Sequence, residues 1–203
     1  MYLSKLRLDR RCSAVRRDLG NPWELHRSLW SAFPADLAAL PERVLWRLEL
    51  ERDGSAQVLV QSQLVPTWEA LLGKYPGYTS EPVACKPYQP LLLEGQNLRF
   101  RLRTNCSVKR DGKRRAVVGE AEQLAWLARH GERGGFVVDA AEVRDEGTRA
   151  FRKGDHQAKL SVALFDGCLR VQQREAFLAT LSRGIGHSKG LGLGLLSIAP
   201  MEA

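Results

Sequence analysis

Two hydrophobic periods alternate along the chain. Tyr2 to Leu8 alternates residue by residue, with Ser4, Leu6 and Leu8 on one side, which predicts a strand. The basic stretch Arg10 to Gly20 reads as a loop. Asn21-Pro22-Trp23-Glu24 then carries the chemistry of a helix start. Asn21 can accept from first-turn amides, Pro22 suits the first helical position, and Glu24 is placed to reach back as in a capping box. The helix is predicted to run to about Ala32, ended by Pro34. At about 100° per residue, Leu25, Leu29, Ala32 and Phe33 share its apolar face. His26 sits to one side of that stripe near Trp23 and Trp30, and Arg27 lies farther round.

Val44 to Leu50 places Val44, Trp46, Leu48 and Leu50 on one face. A turn at Asp53-Gly54 and a second run, Gln57 to Ser62, make this a hairpin. A short helix near Trp68 to Leu72 and an extended piece near Val83 to Lys86 complete the order β-α-β-β-α-β, the ferredoxin-like unit. Pro82, Pro87 and Pro90 then mark a linker. The order recurs beyond it. Asn97 to Thr104 alternates, with Leu98, Phe100 and Leu102 opposite Arg99, Arg101 and Arg103, and Lys109, Arg110, Lys113, Arg114 and Arg115 follow in a loop. Ala121 to Arg129 is helical with Leu124, Leu127 and Ala128 inward; Phe136 to Arg144 and Gln157 to Phe165 are strands bracketing a basic tip. Glu175 to Arg183 is a helix with Phe177, Leu178 and Leu181 inward, and Leu195 to Ala199 a last strand. The fold class is therefore α+β: two tandem ferredoxin-like (RRM-like) domains, 1–88 and 89–203, related by element order and not by a sequence repeat.

Composition narrows the partners. The 203 residues carry 31 Lys and Arg against 23 Asp and Glu, a formal net charge of +8. The excess is clustered: six cations and one acid from Lys5 to Arg17, seven and one from Arg101 to Arg115. Clusters of this kind suit a polyanion such as nucleic acid, with a solvated face as the plainer alternative for any one residue. No apolar run is long enough for a membrane helix, and the start of the chain has no signal-peptide core, so a cytoplasmic location is expected. Cys12, Cys85, Cys106 and Cys168 are widely spaced and read as free thiols. His130, His156 and His187 form no metal spacing with acids, so neither metal nor cofactor is expected, and His130 and His156 read as solvated.

The most specific segment is Gly184-Ile185-Gly186-His187-Ser188-Lys189-Gly190-Leu191-Gly192-Leu193-Gly194, with five glycines in eleven residues. It fails the Walker A pattern, because Gly190 follows Lys189 where Ser or Thr is needed. It also fails the dinucleotide pattern, since a helix precedes it and a strand follows. A flexible helix-to-strand connection is the plain reading. The functional one is bare amides and Lys189 against an RNA backbone. An imidazole flanked by aromatics and a cation is a place to hold a nucleotide, and histidine titrates in the range needed to take or give a proton in RNA cleavage.

Gly184-Ile-Gly186, five residues, then Gly192-Leu-Gly194 resembles the C-terminal glycine motif of CRISPR repeat-processing nucleases. The tail KGLGLGLLSIAP and the N-terminal RRDLGNPWELHRSLWSAFP are similar to the CasE branch in particular, and the resemblance covers nearly the whole chain. It implies two ferredoxin-like domains and metal-free cleavage at the 3′ base of a repeat hairpin, with the product RNA retained in a Cascade-type complex. It implies His26 as the catalytic histidine. Members carry tyrosine three residues earlier, where this chain has Trp23; indole has one donor and no titratable hydroxyl. The group assisting His26 is thus open between Lys189 and His187, with Trp23 able to stack on a base. The expected RNA-binding residues are Arg27, Arg101, Arg103, Lys109, Arg110, Arg149, Arg152, Lys153 and Lys159, with Gly184, Gly186, His187, Ser188, Gly190 and Gly192 of the loop. The resemblance lays the basic hairpin at Arg149 to Lys153 along the RNA stem. The alternative function is a non-catalytic RNA-binding subunit, and an enzyme holding a nucleotide on the glycine loop is a third.

Overall fold

The computed structural model describes residues 1–34, 44–51, 53–153 and 156–201, with the side chains of 150–158 left out. The chain divides into two compact units. The first is Met1–Gln89 with Phe151–Gln157 and Gly190–Gly192; the second is Pro90–Ala150, Ala158–Lys189 and Leu193–Ala203.

The first unit holds β1 (Tyr2–Leu8), α1 (Ser13–Gly20), α2 (Pro22–Trp30), β2 (Leu45–Leu50), β3 (Ala56–Ser62), α3 (Trp68–Lys74) and β4 (Ala84–Pro87). Its antiparallel sheet has the order β2-β3-β1-β4. Register follows burial: Ser4, Leu6 and Leu8 of β1 point inward and pair with Val60, Val58 and Ala56 of β3. A one-residue slip would turn that set to solvent. Val44 and Trp46 are buried as their alternation predicts, but Leu50 at the end of β2 is exposed. On the other face Arg47 is buried, held by Glu49 at 2.6 Å.

The stretch expected as a basic loop is largely the helix α1. Its cations occupy the outer face while Ala14, Val15 and Asp18 are buried. Charge density there hides a 3.6-residue period of only two turns. Asp18 is the reason the turns matter. Its carboxylate accepts from the Tyr78 hydroxyl at 2.6 Å and from Arg17 at 2.7 Å, and Arg17 also donates to Ser28 of α2 at 2.9 Å. One guanidinium therefore ties α1 to α2. Burial and the hydrogen bond to Asp18 both push the Tyr78 phenol well above its ordinary range. Burial acts upward on Tyr75 as well, but the hydrogen bond and charge of Arg17 bring that phenol below it.

The second unit holds β5 (Asn97–Thr104), β6 (Ser107–Arg110), β7 (Lys113–Ala116), α4 (Glu120–Gly134), β8 (Phe136–Lys153), β9 (His156–Val171), α5 (Arg174–Arg183) and β10 (Leu196–Pro200). Its sheet order, β10-β5-β9-β8, is the first unit's order with the strands renumbered, so both units are ferredoxin-like. Leu98, Phe100 and Leu102 face the core while Arg99 and Arg101 are exposed on the other side of the sheet.

The structure corrects three expectations. Residues 107–116 form a separate hairpin, not a loop; Asp111 (φ 52°) and Gly112 (φ 74°) make its tight turn, the Asp-Gly signal of a primed hairpin. The two long strands run on through charged sequence, so Arg149, Arg152 and Lys153 lie within β8 and not in a tip. The inward face of α4 is Gln123, Trp126, Leu127 and Gly131, with Ala128 exposed, because the indole of Trp126 fills more core than alanine could. Likewise Thr180 joins Phe177 and Leu181 on the buried face of α5.

Asp18→Ala would leave the Tyr78 hydroxyl and Arg17 without their acceptor. We expect a loss of about 2 kcal/mol, toward the low end for broken buried pairs because Arg17 is partly solvated. Urea unfolding of the variant checks it.

Candidate active site

Helix α2 builds the site in the first unit. Asn21 caps it as predicted, its side chain accepting from the Trp23 amide at 3.1 Å, with Pro22 in the first turn. The capping box does not close. The Asn21 amide donates to the Asp18 carbonyl, and Glu24 turns instead to Arg27 at 3.2 Å and Arg17 at 3.8 Å. Two cations outcompete one backbone amide for that carboxylate. Leu25, Leu29, Ala32 and Phe33 are all buried, the predicted stripe. Burial of each leucine contributes about 2 kcal/mol to holding the helix down.

That anchoring fixes where His26 projects. Its half-buried ring lies 5.4 Å from the Trp23 ring and 4.7 Å from the Trp30 ring, centroid to centroid. Trp30 continues through Phe33 to Trp68 at spacings of 6.3 and 6.1 Å, so the aromatic row runs into the core. Trp68 in turn donates to the buried Ser4 hydroxyl at 3.0 Å. The imidazole thus stands on a rigid base.

Gly190–Gly192 of the glycine-rich segment belongs to this same unit. Gly190 lies across the imidazole: a β-carbon built there would meet three ring atoms of His26 at 3.6 to 3.8 Å. Two residues on, Gly192 has φ +77° and presses on the Trp46 indole, which a β-carbon would overlap. Glycine at 192 is therefore a packing requirement, and it keeps Gly190 beside the histidine. Arg27 is exposed at the edge of α2.

In the second unit the rest of the segment is held by backbone bonds. Ile185 and Gly194 pair at 2.9 Å, the Gly194 amide reaches the Arg103 carbonyl at 2.7 Å, and Thr104 donates to the Ile185 carbonyl at 3.1 Å. His187 bridges Asn105 and is exposed; Ser188 has φ 64°, and Lys189 is half-buried in a single helical turn, Lys189–Leu191. Gly184 and Gly186 both have positive φ. Burial, then the charges of Arg114 and Lys189, push the His187 imidazole below its ordinary range.

The predicted cations differ in what they already hold. Arg101 faces Asp166 directly across β5 and β9 and binds it at 2.6 Å. Arg103 is partly buried on Glu146 at 2.8 Å, and Arg149 reaches the same carboxylate at 3.2 Å. Lys109, Arg110 and Lys159 are exposed. The side chains of Arg152, Lys153 and His156 lie outside the described residues. His130 is not solvated as expected. Its ring packs on Trp126 at 4.1 Å, and burial together with the neighbouring cations, Arg133 first, pushes its imidazole down to about 4. Cys106 is buried and its thiol is pushed up to about 12, chiefly by burial. Among the described residues the four cysteines form no disulfide, and no helix is long and apolar enough to cross a membrane.

A family model described as CRISPR associated protein matches residues 1–200, and the chain belongs to that family. It is 42% identical to the CRISPR-associated endoribonuclease Cse3 of Thermus thermophilus, over 98% of this chain and all of that protein. It is 29% identical to the CRISPR system Cascade subunit CasE of Escherichia coli K12, over 99% of this chain and all of that one. The solved structure of Thermus thermophilus Cse3 bound to an RNA representing a pre-cleavage complex superimposes with a TM-score of 0.87 at 42% identity, covering 98% of both chains.

Two measurements check the geometry. Gly192→Ala should cost about 2 to 4 kcal/mol through left-handed strain and overlap with Trp46, whereas Gly190→Ala, meeting only ordinary contacts, should stay within about 1 kcal/mol of wild type; thermal melts compare them. The depressed His130 means that the unfolded chain takes up a proton below about pH 6.5 while the folded one waits until about pH 4. Stability is therefore complete above that window and falls through it. Between pH 7 and 5, wild type should lose about 1 to 2 kcal/mol more than His130→Gln, read as melting temperature against pH.

Proposed function

We propose that this chain is an endoribonuclease that cuts CRISPR precursor RNA at the 3′ base of the repeat hairpin and keeps the product, as a subunit of a Cascade-type complex in the cytoplasm. The observation that carries the reading is His26: a half-buried imidazole between two indoles with bare backbone across its face. It sits in a chain 42% identical over its length to a protein named as an endoribonuclease. We assign catalysis to 1–88, which carries the histidine helix, and RNA gripping to 89–203, which carries the basic strands and the glycine-rich loop.

The chemistry runs on the RNA's own 2′-hydroxyl, without metal. That hydroxyl loses its proton, its oxygen bonds to the adjacent phosphorus, the bond from phosphorus to the 5′-oxygen breaks, and the 5′-oxygen takes a proton. The products are a 2′,3′-cyclic phosphate and a 5′-hydroxyl. His26 accepts the first proton as neutral imidazole or gives the second as imidazolium. Trp23 holds a base by stacking, and Lys189, next to Gly190 in the chain, supplies positive charge to the phosphate. General acid–base work supplies about 100- to 10,000-fold; positioning by the loop backbone of Gly184, Gly186, His187, Ser188, Gly190 and Gly192 supplies the rest. Arg27, Arg101, Arg103, Lys109, Arg110, Arg149, Arg152, Lys153 and Lys159 bind phosphates and 2′-hydroxyls, since A-form RNA hides its base edges in a deep groove. Cations not already matched to a carboxylate, Lys109 and Arg110 foremost, contribute most to the salt-sensitive part of binding.

The test is cleavage of the repeat hairpin in EDTA. Wild type should cut; His26→Ala should cut about 100- to 10,000-fold more slowly. RNA with a 2′-deoxy sugar just upstream of the cut should bind and stay intact. Cutting of the deoxy substrate, or a full rate in His26→Ala, would end the reading. Tight binding by wild type with no cutting would instead make the chain an RNA-binding subunit, the function that Trp23, lacking a titratable hydroxyl, favours.

A further inference from the structure

The β6–β7 hairpin is difficult to explain as part of the fold. It is a two-stranded sheet separate from the main sheet of its unit, and every residue from 109 to 116 is exposed. Its register sets Lys109 opposite Arg114 and Arg110 opposite Lys113, two like-charged pairs directly across the ladder. Such pairs oppose hairpin formation. The acid at the turn, Asp111, reaches Arg115 at 3.7 Å, in solvent.

One face of this hairpin, carrying Val108, Arg110 and Arg115, forms with α4 a groove of about 450 Å³. Arg129 of α4 lines the opposite side, and Val118 and Ala125 lie along the same groove. Val118 is 67% exposed there, an apolar side chain left in water beside three guanidiniums. Glu122 lines the groove too, but its carboxylate folds back over Gly119 at the start of α4. Cations on two walls with apolar surface between them fit a single strand: phosphates take the charge, and a base or ribose covers the valines. A duplex, whose bases are stacked inside, would use the cations and leave Val118 wet.

We propose that the groove between the β6–β7 hairpin and α4 binds an unpaired stretch of RNA flanking the repeat hairpin, with Arg110, Arg115 and Arg129 on its phosphates. This rests on the RNA-cleavage reading and extends it to a second contact outside the stem. It gives Arg110, a member of one opposed like-charged pair, and the exposed Val118 a common cause: a polyanion that neutralises the first and covers the second.

The experiment compares two labelled RNAs, the bare repeat stem-loop and the same stem-loop with unpaired nucleotides on its 5′ or 3′ side. Arg115→Gln/Arg129→Gln should bind at least one flanked RNA roughly tenfold or more weakly, and the bare stem-loop less than about threefold more weakly. Because the double variant no longer neutralises two phosphates, the log–log salt slope for that flanked RNA should fall by about 1.4. Val118→Glu, at an exposed position where folding is not at issue, should repeat the selective loss. Equal weakening on all RNAs would assign the cations to the stem, and unchanged binding would assign the groove to a protein partner or to solvent; either overturns the proposal. Wild type that binds no RNA would overturn the endoribonuclease reading along with it, whereas wild type that cuts while both variants bind flanked RNA normally overturns this site alone.

Discussion

The site depends on one close approach: main chain without a side chain, at Gly190, lying on the face of an imidazole. Everything near it serves that approach. Gly192 rests on Trp46, a residue of the first unit's core, and so sets the path of the segment two residues away. From the other side, the His26 ring is backed by Trp23 and Trp30, and the helix beneath it is sunk through Leu25 and Leu29. A methyl group is tolerated by geometry at 190 and excluded at 192. The distinction separates a glycine that leaves room for chemistry from one that the packing itself demands.

Helix α2 is short, nine residues, and a helix of that length has little stability of its own. Its position comes from neighbours. Arg17 links Asp18, Ser28 and Glu24, and Asp18 is itself buried under the Tyr78 hydroxyl. The basic stretch before α2 thus has two kinds of cation. Arg17, though partly solvated, is committed to the carboxylate of buried Asp18, while Arg10 and Arg16 bind carbonyls of nearby turns. Positive charge in a sequence is not by itself a surface for RNA. In the second unit, Arg101 and Arg103 likewise already hold carboxylates, those of Asp166 and Glu146.

Much of the fold was legible because two periods and their breakers are local properties. The alternations of β1 and β5, the Asn21-Pro22 helix start and the order of elements all depend on residues within a few positions of each other. What escaped depended on distant ones. The helix α1 is buried through Asp18, a residue type that reads as exposed until Tyr78, 60 positions on, supplies its hydroxyl. The β6–β7 hairpin had a readable turn in Asp111-Gly112, but its strands lack an apolar face, so alternation gave no signal. His130 is the exception: Trp126 is one helical turn away, but the expected helix ended at Arg129, whereas α4 runs on to Gly134 and keeps His130 on its packed side. At the site, the position of His26 between two indoles follows from helical spacing. Its approach to Gly190 joins residues 164 positions apart by their numbering, and no pattern within the helix contains it.

The primed turn of the β6–β7 hairpin has a consequence for how such a protein diversifies. Its tip carries no burden of the core, since Lys109 to Ala116 are all exposed. Replacing residues there alters the electrostatic reach of the molecule while the ferredoxin-like frame melts where it did before. Affinity for polyanions and thermal robustness are thus separately adjustable in this architecture. A lineage facing a new salt regime or a new RNA could retune the first by drift in eight consecutive codons, without compensating changes elsewhere.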